Sequence, residues 1–149
     1  MMQDIFIQIG KNKIFMITLA AWLIAQAIKV IIGVIRQRRF DFRWLVGTGG
    51  MPSSHASGAS CLAMSLGLEY GFDTVYFALA ASFAIVVMFD AQGVRRSTGK
   101  QARILNKVMD DIYWQGRISE GRLRELVGHT PVEVLVGAIL GIIVAFLLR

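Results

Sequence analysis

The sequence has few of the residues that hold small secreted domains or metal centres together. Its 149 residues contain one cysteine, Cys61, and two histidines, His55 and His129. A single cysteine excludes an internal disulfide, and so few histidines leave a zinc site built from His and Cys poorly supplied with ligands. Charged residues make up 17% of the chain, whereas soluble domains have about 25%. This shortage of charge argues against an ordinary soluble enzyme.

Apolar residues are abundant and are concentrated in four stretches. They account for 55% of the chain, and the mean hydropathy is +0.57. The stretches cover residues 14–28 (continuing past Lys29 to Ile35), 56–68, 74–89 and 134–148. A membrane-spanning helix needs about 20 apolar residues, and each stretch reaches such a length once its polar ends are counted. We therefore predict an all-α integral membrane protein in which residues 1–149 form one compact bundle of about four transmembrane helices.

Shorter amphipathic helices are predicted outside these spans. Residues 1–13 combine apolar side chains with two lysines, which is typical of a helix at the membrane interface. Apolar residues recur at helical spacing between 104 and 113, and a second short helix is predicted near 119–127. Both lie in a basic segment at about 97–127, which we interpret as a cytoplasmic insertion. Between the second and third spans, residues 69–73 are predicted to turn tightly around Gly71.

The distribution of positive charge predicts the orientation of the bundle. The formal net charge is +6. The segment 36–51 has four Lys or Arg residues and 95–128 has eight, whereas the opposite face has three, Lys11, Lys13 and Arg149. By the positive-inside rule the two basic segments face the cytoplasm. Because the charge lies between apolar blocks, it favours a membrane over a nucleic acid as the partner.

Two cations at the end of the first span are candidates for binding phosphate. Lys29 and Arg36 are seven residues apart, two helical turns, so they share one face of the helix. Two cations on one face can bind the oxygens of a phosphate. The same pattern is expected if Lys29 extends its charge to the membrane interface and Arg36 lies at the interface. The pair alone does not decide between phosphate binding and this interfacial role.

The start of the second span has the features of an anion site. Glycines at 47, 49 and 50 precede Pro52, Ser53, Ser54 and His55. Glycine lets the backbone approach a ligand closely, and a helix amino terminus presents free N–H groups and a positive dipole end to a phosphate. Ser53 or Ser54 can also simply cap the helix, which is compatible with anion binding. His55, at such a helix start, is a candidate proton donor.

A second histidine stands at the start of the last span. His129 and Glu133 are four residues apart and therefore lie on one helical face. A carboxylate that bonds one ring nitrogen fixes the tautomer and raises the basicity of the other, as a nucleophilic histidine requires. The same residues also form a capping box, Thr130 to Glu133, with Pro131 in the first turn. This segment taken alone favours the cap.

Two arginines follow the third span. Arg95 and Arg96 come after Gly93 and can bind a phosphate in bidentate fashion. Their alternative role is that of positive-inside anchors at the membrane surface. Asp90, at the end of the span, can pair with one of these cations.

In order, these segments resemble the type-2 phosphatidic acid phosphatase superfamily, which includes vanadium-dependent haloperoxidases. The family motifs are K-x6-R-P, P-S-G-H and S-R-x5-H-x3-D. Lys29 to Arg36 fits the first motif, except that the proline after the arginine is missing. Residues 52–55 fit the second motif, with Ser54 in place of glycine. His129 to Glu133 fits the end of the third motif, with glutamate in place of aspartate. The arginine of the third motif corresponds to Arg95 or Arg96, displaced by the insertion.

The resemblance implies a role for each residue. His129 corresponds to the nucleophile that forms a phosphohistidine, Glu133 to its orienting carboxylate, and His55 to the general acid. The implied phosphate ligands are Lys29, Arg36, Ser53, the backbone N–H of Ser54, and one of Arg95 and Arg96. As a phosphatase of this kind the chain is expected to need no metal and no cofactor, and the family usually has six spans.

The predicted function is a metal-independent phosphatase of the cell membrane that acts on a lipid phosphate of the phosphatidate, phosphatidylglycerophosphate or polyprenyl-phosphate type. One alternative is a protein of the same fold that binds an anionic lipid or phosphate without hydrolysis. Another is a structural subunit, because Gly67-x-x-x-Gly71 and Gly137-x-x-x-Gly141 permit close helix contacts and a homodimer.

Overall fold

The protein is a bundle of helices. The computed structural model describes residues 2–38, 40, 50–92, 101–106, 109 and 129–149, and within these ranges it has no strand. The helices are α1 (Met2–Lys11), α2 (Lys13–Gln37), α3 (Ser54–Tyr70), α4 (Val75–Gln92) and α5 (Pro131–Leu148). The predicted all-α membrane fold is confirmed.

The helix ends follow from local sequence. Asn12 separates α1 from α2 and caps α2, since its Oδ1 accepts a bond from the Phe15 N–H at 3.0 Å. Ser53 caps α3, and Thr130 followed by Pro131 begins α5. At the other end of α3, Gly71 has φ +103°, a backbone conformation that side chains rarely adopt, and the chain turns there into α4. The tight turn predicted for residues 69–73 is confirmed.

Helix α3 lies at the centre and packs against α2, α4 and α5. It is built mostly from serine, alanine and glycine, and ten of its 17 residues are buried. Small side chains allow neighbouring backbones to approach closely, as in other membrane bundles. Two polar groups of α3 bond to backbone carbonyls of α2: Ser57 Oγ donates to Ala21 at 3.1 Å and Cys61 Sγ to Ile17 at 3.7 Å.

Two glycines of α5 allow it to lie directly against α3. A Cβ at Gly137 would overlap the backbone oxygen of Ser53, and one at Gly141 would overlap that of Ser57. A Cβ at Gly67 would overlap the ring of Phe72. The glycine pairs were considered as contacts between two copies of the chain in a homodimer. In the structure they make contacts within one copy.

Large apolar side chains face outward, and small ones fill the interior. Phe89 is 74% exposed and Leu147 76%, whereas Ala84 of the core is 4% exposed. Such a surface suits lipid rather than water. Three described helices, α2, α4 and α5, are long and apolar enough to cross a membrane. The predicted number of about four is slightly higher, because α3 is shorter and rich in serine and glycine.

The basic segment between α4 and α5 is described only in part. Residues 101–106 are helical, as predicted, but the buried side chains are Ala102 and Asn106, whereas Ile104 and Leu105, where the apolar spacing begins, are 63% and 51% exposed. The predicted helix near 119–127 and most of the insertion at 97–127 lie outside the described residues.

Candidate active site

Several helix ends meet at one end of the bundle. The Ser53 N–H, just before α3, donates to the carbonyl of Glu133 in the first turn of α5 at 3.0 Å. The His129 N–H, just before α5, donates to the carbonyl of Ala91 near the end of α4 at 3.1 Å. The amino termini of α3 and α5 therefore lie side by side. Their positive dipole ends favour an anion at this place.

The two residues of the third motif are in contact. His129 is 1% exposed, and its Nδ1 lies 3.2 Å from Oε2 of Glu133. Since a carboxylate only accepts hydrogen bonds, Nδ1 carries the proton, and the neutral ring then has its lone pair on Nε2. The described geometry thus prepares Nε2 to act as a nucleophile or base.

The same carboxylate also caps α5. Glu133 Oε2 accepts a bond from the Thr130 N–H at 3.0 Å, and the Glu133 N–H donates to Thr130 Oγ1 at 3.3 Å. The sequence left two roles for Glu133, a cap or a partner of histidine. One oxygen serves both, so the capping box holds the carboxylate in position for His129.

A buried lysine stands next to this pair. Lys29 is 8% exposed, its Nζ donates to Gln26 Oε1 at 3.1 Å, and it is close enough to Glu133 for the two charges to attract. Burial of an ammonium group is costly unless it is paired, so the position is a functional candidate. Sequence reasoning missed Gln26, whose place one helical turn before Lys29 was the available signal.

Gly50, the last glycine of the glycine-rich segment, lies against the same lysine. It has φ +86°, and a Cβ built on it would lie 3.4 Å from Cγ of Lys29. The position therefore needs glycine for its backbone and for its close approach to the lysine stem. Residues 47–49 lie outside the described residues.

Alanine at Gly50 is expected to destabilise the protein by about 1–2 kcal/mol, because a side chain is strained at this φ and crowds Lys29. Thermal unfolding in detergent checks this effect. Alanine at Gly10, where a Cβ has no neighbour within 4 Å, is the matched control and should cause no loss of stability; equal stability of the two variants would contradict the expectation.

The two serines of the second motif are buried. Ser53 Oγ accepts a bond from the Ala56 N–H at 3.3 Å, and its own N–H is bonded to Glu133. Ser54, the first residue of α3, is 2% exposed. Ser53 therefore lies beside Glu133, and the capping role that the sequence allowed for Ser53 is confirmed.

His55 lies on a different face of α3. Ser53 and Ser57 contact α5, and a residue two positions away on a helix points about 200° around the axis. His55 is exposed and lies at an apolar groove of about 280 Å³ between α2, α3 and α4, whose walls include Trp22 and Phe83. The groove has almost no polar surface, and no pattern in the sequence predicted it.

Of the remaining predicted ligands, the structure describes Arg36. Arg36 is exposed near the end of α2, two turns beyond Lys29. Arg95 and Arg96 lie outside the described residues. In the part of the chain that the structure describes, no three His, Cys, Asp or Glu side chains come together as a metal site would require.

Comparison with known proteins identifies the family of the chain. Residues 10–144 match the family model described as the Divergent PAP2 family. The chain belongs to this family. It is also 39% identical over 142 residues to the uncharacterized membrane protein YuiD of Bacillus subtilis (strain 168), a match that covers 88% of this chain and 90% of that protein. No solved structure matches the chain.

Membership of the divergent PAP2 family establishes the class of the chain. It is an integral membrane protein of a branch of the PAP2 superfamily, with three apolar helices of spanning length in the described residues. At the level of the family, a phosphatase activity is plausible.

Proposed function

We propose that the protein is a metal-independent phosphatase of a lipid phosphate monoester, with His129 as the nucleophile. The observation that carries the proposal is the His129–Glu133 contact of 3.2 Å beside a buried Lys29 and two helix amino termini. These groups combine a fixed imidazole tautomer with positive charge, which is the combination that phosphoryl transfer requires.

The reaction has two steps. Nε2 of His129 attacks phosphorus, an N–P bond forms, and the P–O bond to the lipid breaks; the departing oxygen takes a proton from the His55 imidazolium. Water then attacks phosphorus and gives its proton to His55, while the N–P bond electrons return to His129. Lys29, Arg36 and one of Arg95 and Arg96 stabilise the charge on the phosphoryl oxygens.

In this proposal the phosphate lies above the first turn of α3. His129 approaches it from the side of α5, and His55 approaches from the apolar groove. The groove would hold the apolar chain of the substrate, because its walls are almost entirely apolar and its polar end is His55. We propose that the site faces the cytoplasm, because the positive-inside rule favours that side for the basic segments.

The test is a phosphate-release assay over phosphatidate, phosphatidylglycerophosphate and polyprenyl phosphates, with purified protein in detergent and excess chelator.

The variant Glu133→Gln can still accept a hydrogen bond from the Thr130 N–H, but it lacks the negative charge that supports an imidazolium. Its turnover should therefore fall by about 10²-fold in this assay. Release that requires added metal would contradict the mechanism.

Alanine at Thr130 is the matched control for Glu133→Gln. It removes the hydroxyl half of the capping box and leaves the carboxylate, so it should cost about 1 kcal/mol of stability with little loss of turnover. If Thr130→Ala reduces turnover as much as Glu133→Gln does, Glu133 acts through the helix cap and not through histidine.

A second candidate is a protein that binds the phosphate headgroup without hydrolysis. The observation that favours it is the position of His55 on the face of α3 that points away from α5. Binding of vanadate or phosphate that is lost in Lys29→Gln, with no turnover of any of the lipids, would support this function and exclude the first.

A further inference from the structure

A second polar cavity lies at the opposite end of the bundle. It is formed by the α1–α2 junction, the end of α3 and the end of α5, and has a volume of about 400 Å³. Since α5 separates it from His129 by 18 residues, the distance is about 27 Å, close to the thickness of a bilayer core. The cavity is therefore at the other membrane surface and is independent of the phosphatase site.

Three cations from different elements line this cavity. They are Lys11 at the end of α1, Lys13 at the start of α2 and Arg149 after α5; Glu69 is the single acidic lining residue. Within residues 2–38, 50–92 and 129–149, none of the three cationic side chains forms an ion pair or a hydrogen bond. The start of α2 contributes a positive dipole end and the carboxyl ends of α1, α3 and α5 contribute negative ones, so the positive charge of the cavity comes from its side chains. The cavity is thus arranged for an anion.

The floor and the surroundings of the cavity are apolar. Ile14 and Ile17 form part of its lining, and Ile17 is buried. Next to it, α1 carries the exposed apolar side chains Ile5, Phe6 and Ile9. A cationic rim above an apolar floor, beside an amphipathic helix at the membrane surface, suits an amphiphile better than a free ion.

We propose that this cavity, the cationic pocket, binds the phosphate headgroup of an anionic phospholipid from the leaflet opposite to the His129 site. Lys11, Lys13 and Arg149 contact the phosphate, and the acyl chains continue over Ile14 and the apolar face of α1. No histidine lines the pocket, so the lipid is bound and not hydrolysed. Its volume is within the range of about 300–1,000 Å³ that is typical of ligand pockets.

The test measures lipid binding to the purified full chain in neutral detergent by native mass spectrometry. The probes are phosphatidylglycerol, phosphatidylcholine with the same acyl chains, and inorganic phosphate. Phosphatidylglycerol should bind at least tenfold more tightly than phosphatidylcholine. In the double variant Lys13→Gln with Arg149→Gln, its affinity should fall roughly 20- to 30-fold, about fivefold for each charge removed.

A variant with the same loss of charge provides the control. Arg38→Gln with Arg103→Gln removes two exposed cations from outside the pocket, and it should bind phosphatidylglycerol as the wild type does. Equal affinities of the pocket variant and the wild type would overturn the proposal. Inorganic phosphate that binds as tightly as phosphatidylglycerol would overturn the assignment to a lipid.

The measurement is independent of the phosphatase proposal. Repeating it with His129→Ala should give the same lipid affinities, because the two sites lie at opposite ends of α5. A loss of phosphatidylglycerol binding in His129→Ala, with retention in Lys13→Gln/Arg149→Gln, would place the bound lipid at the other site and would contradict the cationic pocket.

Discussion

Alanine at His129 is expected to reduce the release of phosphate from a lipid phosphate by about 10³-fold or more. The imidazole is the group whose Nε2 lone pair is prepared by Glu133, and its removal leaves no nucleophile at that place. Wild-type protein should also acquire an acid-labile, base-stable phosphate label, as a phosphohistidine does, and the variant should not. A radiolabelled phosphate monoester measures both quantities.

The fold of this variant can be checked separately. The bond that ties residue 129 to α4 uses its backbone N–H and the Ala91 carbonyl, so alanine keeps it. His129→Asn, which retains a polar side chain, should be as inactive as His129→Ala while it unfolds closer to the wild type. Undiminished turnover in either variant would end the proposal of a phosphohistidine.

Alanine at Gly141 is expected to destabilise the bundle by about 3 kcal/mol, the upper part of the range for overpacking. The added methyl group would overlap the backbone oxygen of Ser57, and a backbone atom cannot turn aside as a side chain does. Helices α3 and α5 must separate, and the contacts on both sides of the glycine are lost. Thermal or denaturant unfolding in detergent measures the effect.

Gly58 provides a matched control on α3. A Cβ there would lie 3.7 Å from Cβ of Trp22, an ordinary contact, and alanine is a better helix former than glycine by about 1 kcal/mol. Gly58→Ala should therefore be neutral or slightly stabilising. If Gly141→Ala instead leaves the unfolding temperature unchanged and alters only the oligomeric state, the glycine acts between chains, as the sequence permitted.

The spacing within each motif could be predicted, because neighbours on a helix depend only on its period. His129 and Glu133 are four residues apart, and their contact follows once α5 forms. The choice between cap and histidine partner could not be made from the sequence. In the structure one oxygen of Glu133 contacts both the His129 ring and the Thr130 N–H, and the backbone of residue 129 is bonded to Ala91 of another helix.

Contacts between segments that are distant in the sequence were harder to predict. Lys29 is two turns before Arg36, and their spacing predicts that they act as a pair. In the structure Lys29 is buried against Gly50, whereas Arg36 is exposed. Which face of α2 is covered depends on the helices beside it. The same holds for His55, whose face on α3 turns toward the apolar groove because α5 occupies the other side.

Composition and local pattern alone determined the class of this protein: apolar stretches with basic connections specify membrane helices, since lipid accepts few charges and no unpaired backbone. They also determined the order of the phosphatase motifs. Only the tertiary structure decided that serine-rich α3 is the centre of the bundle, that the glycines of α5 serve this contact, and that three cations line a pocket far from His129. These are relations between segments distant in the sequence, and packing, not helical periodicity, establishes them.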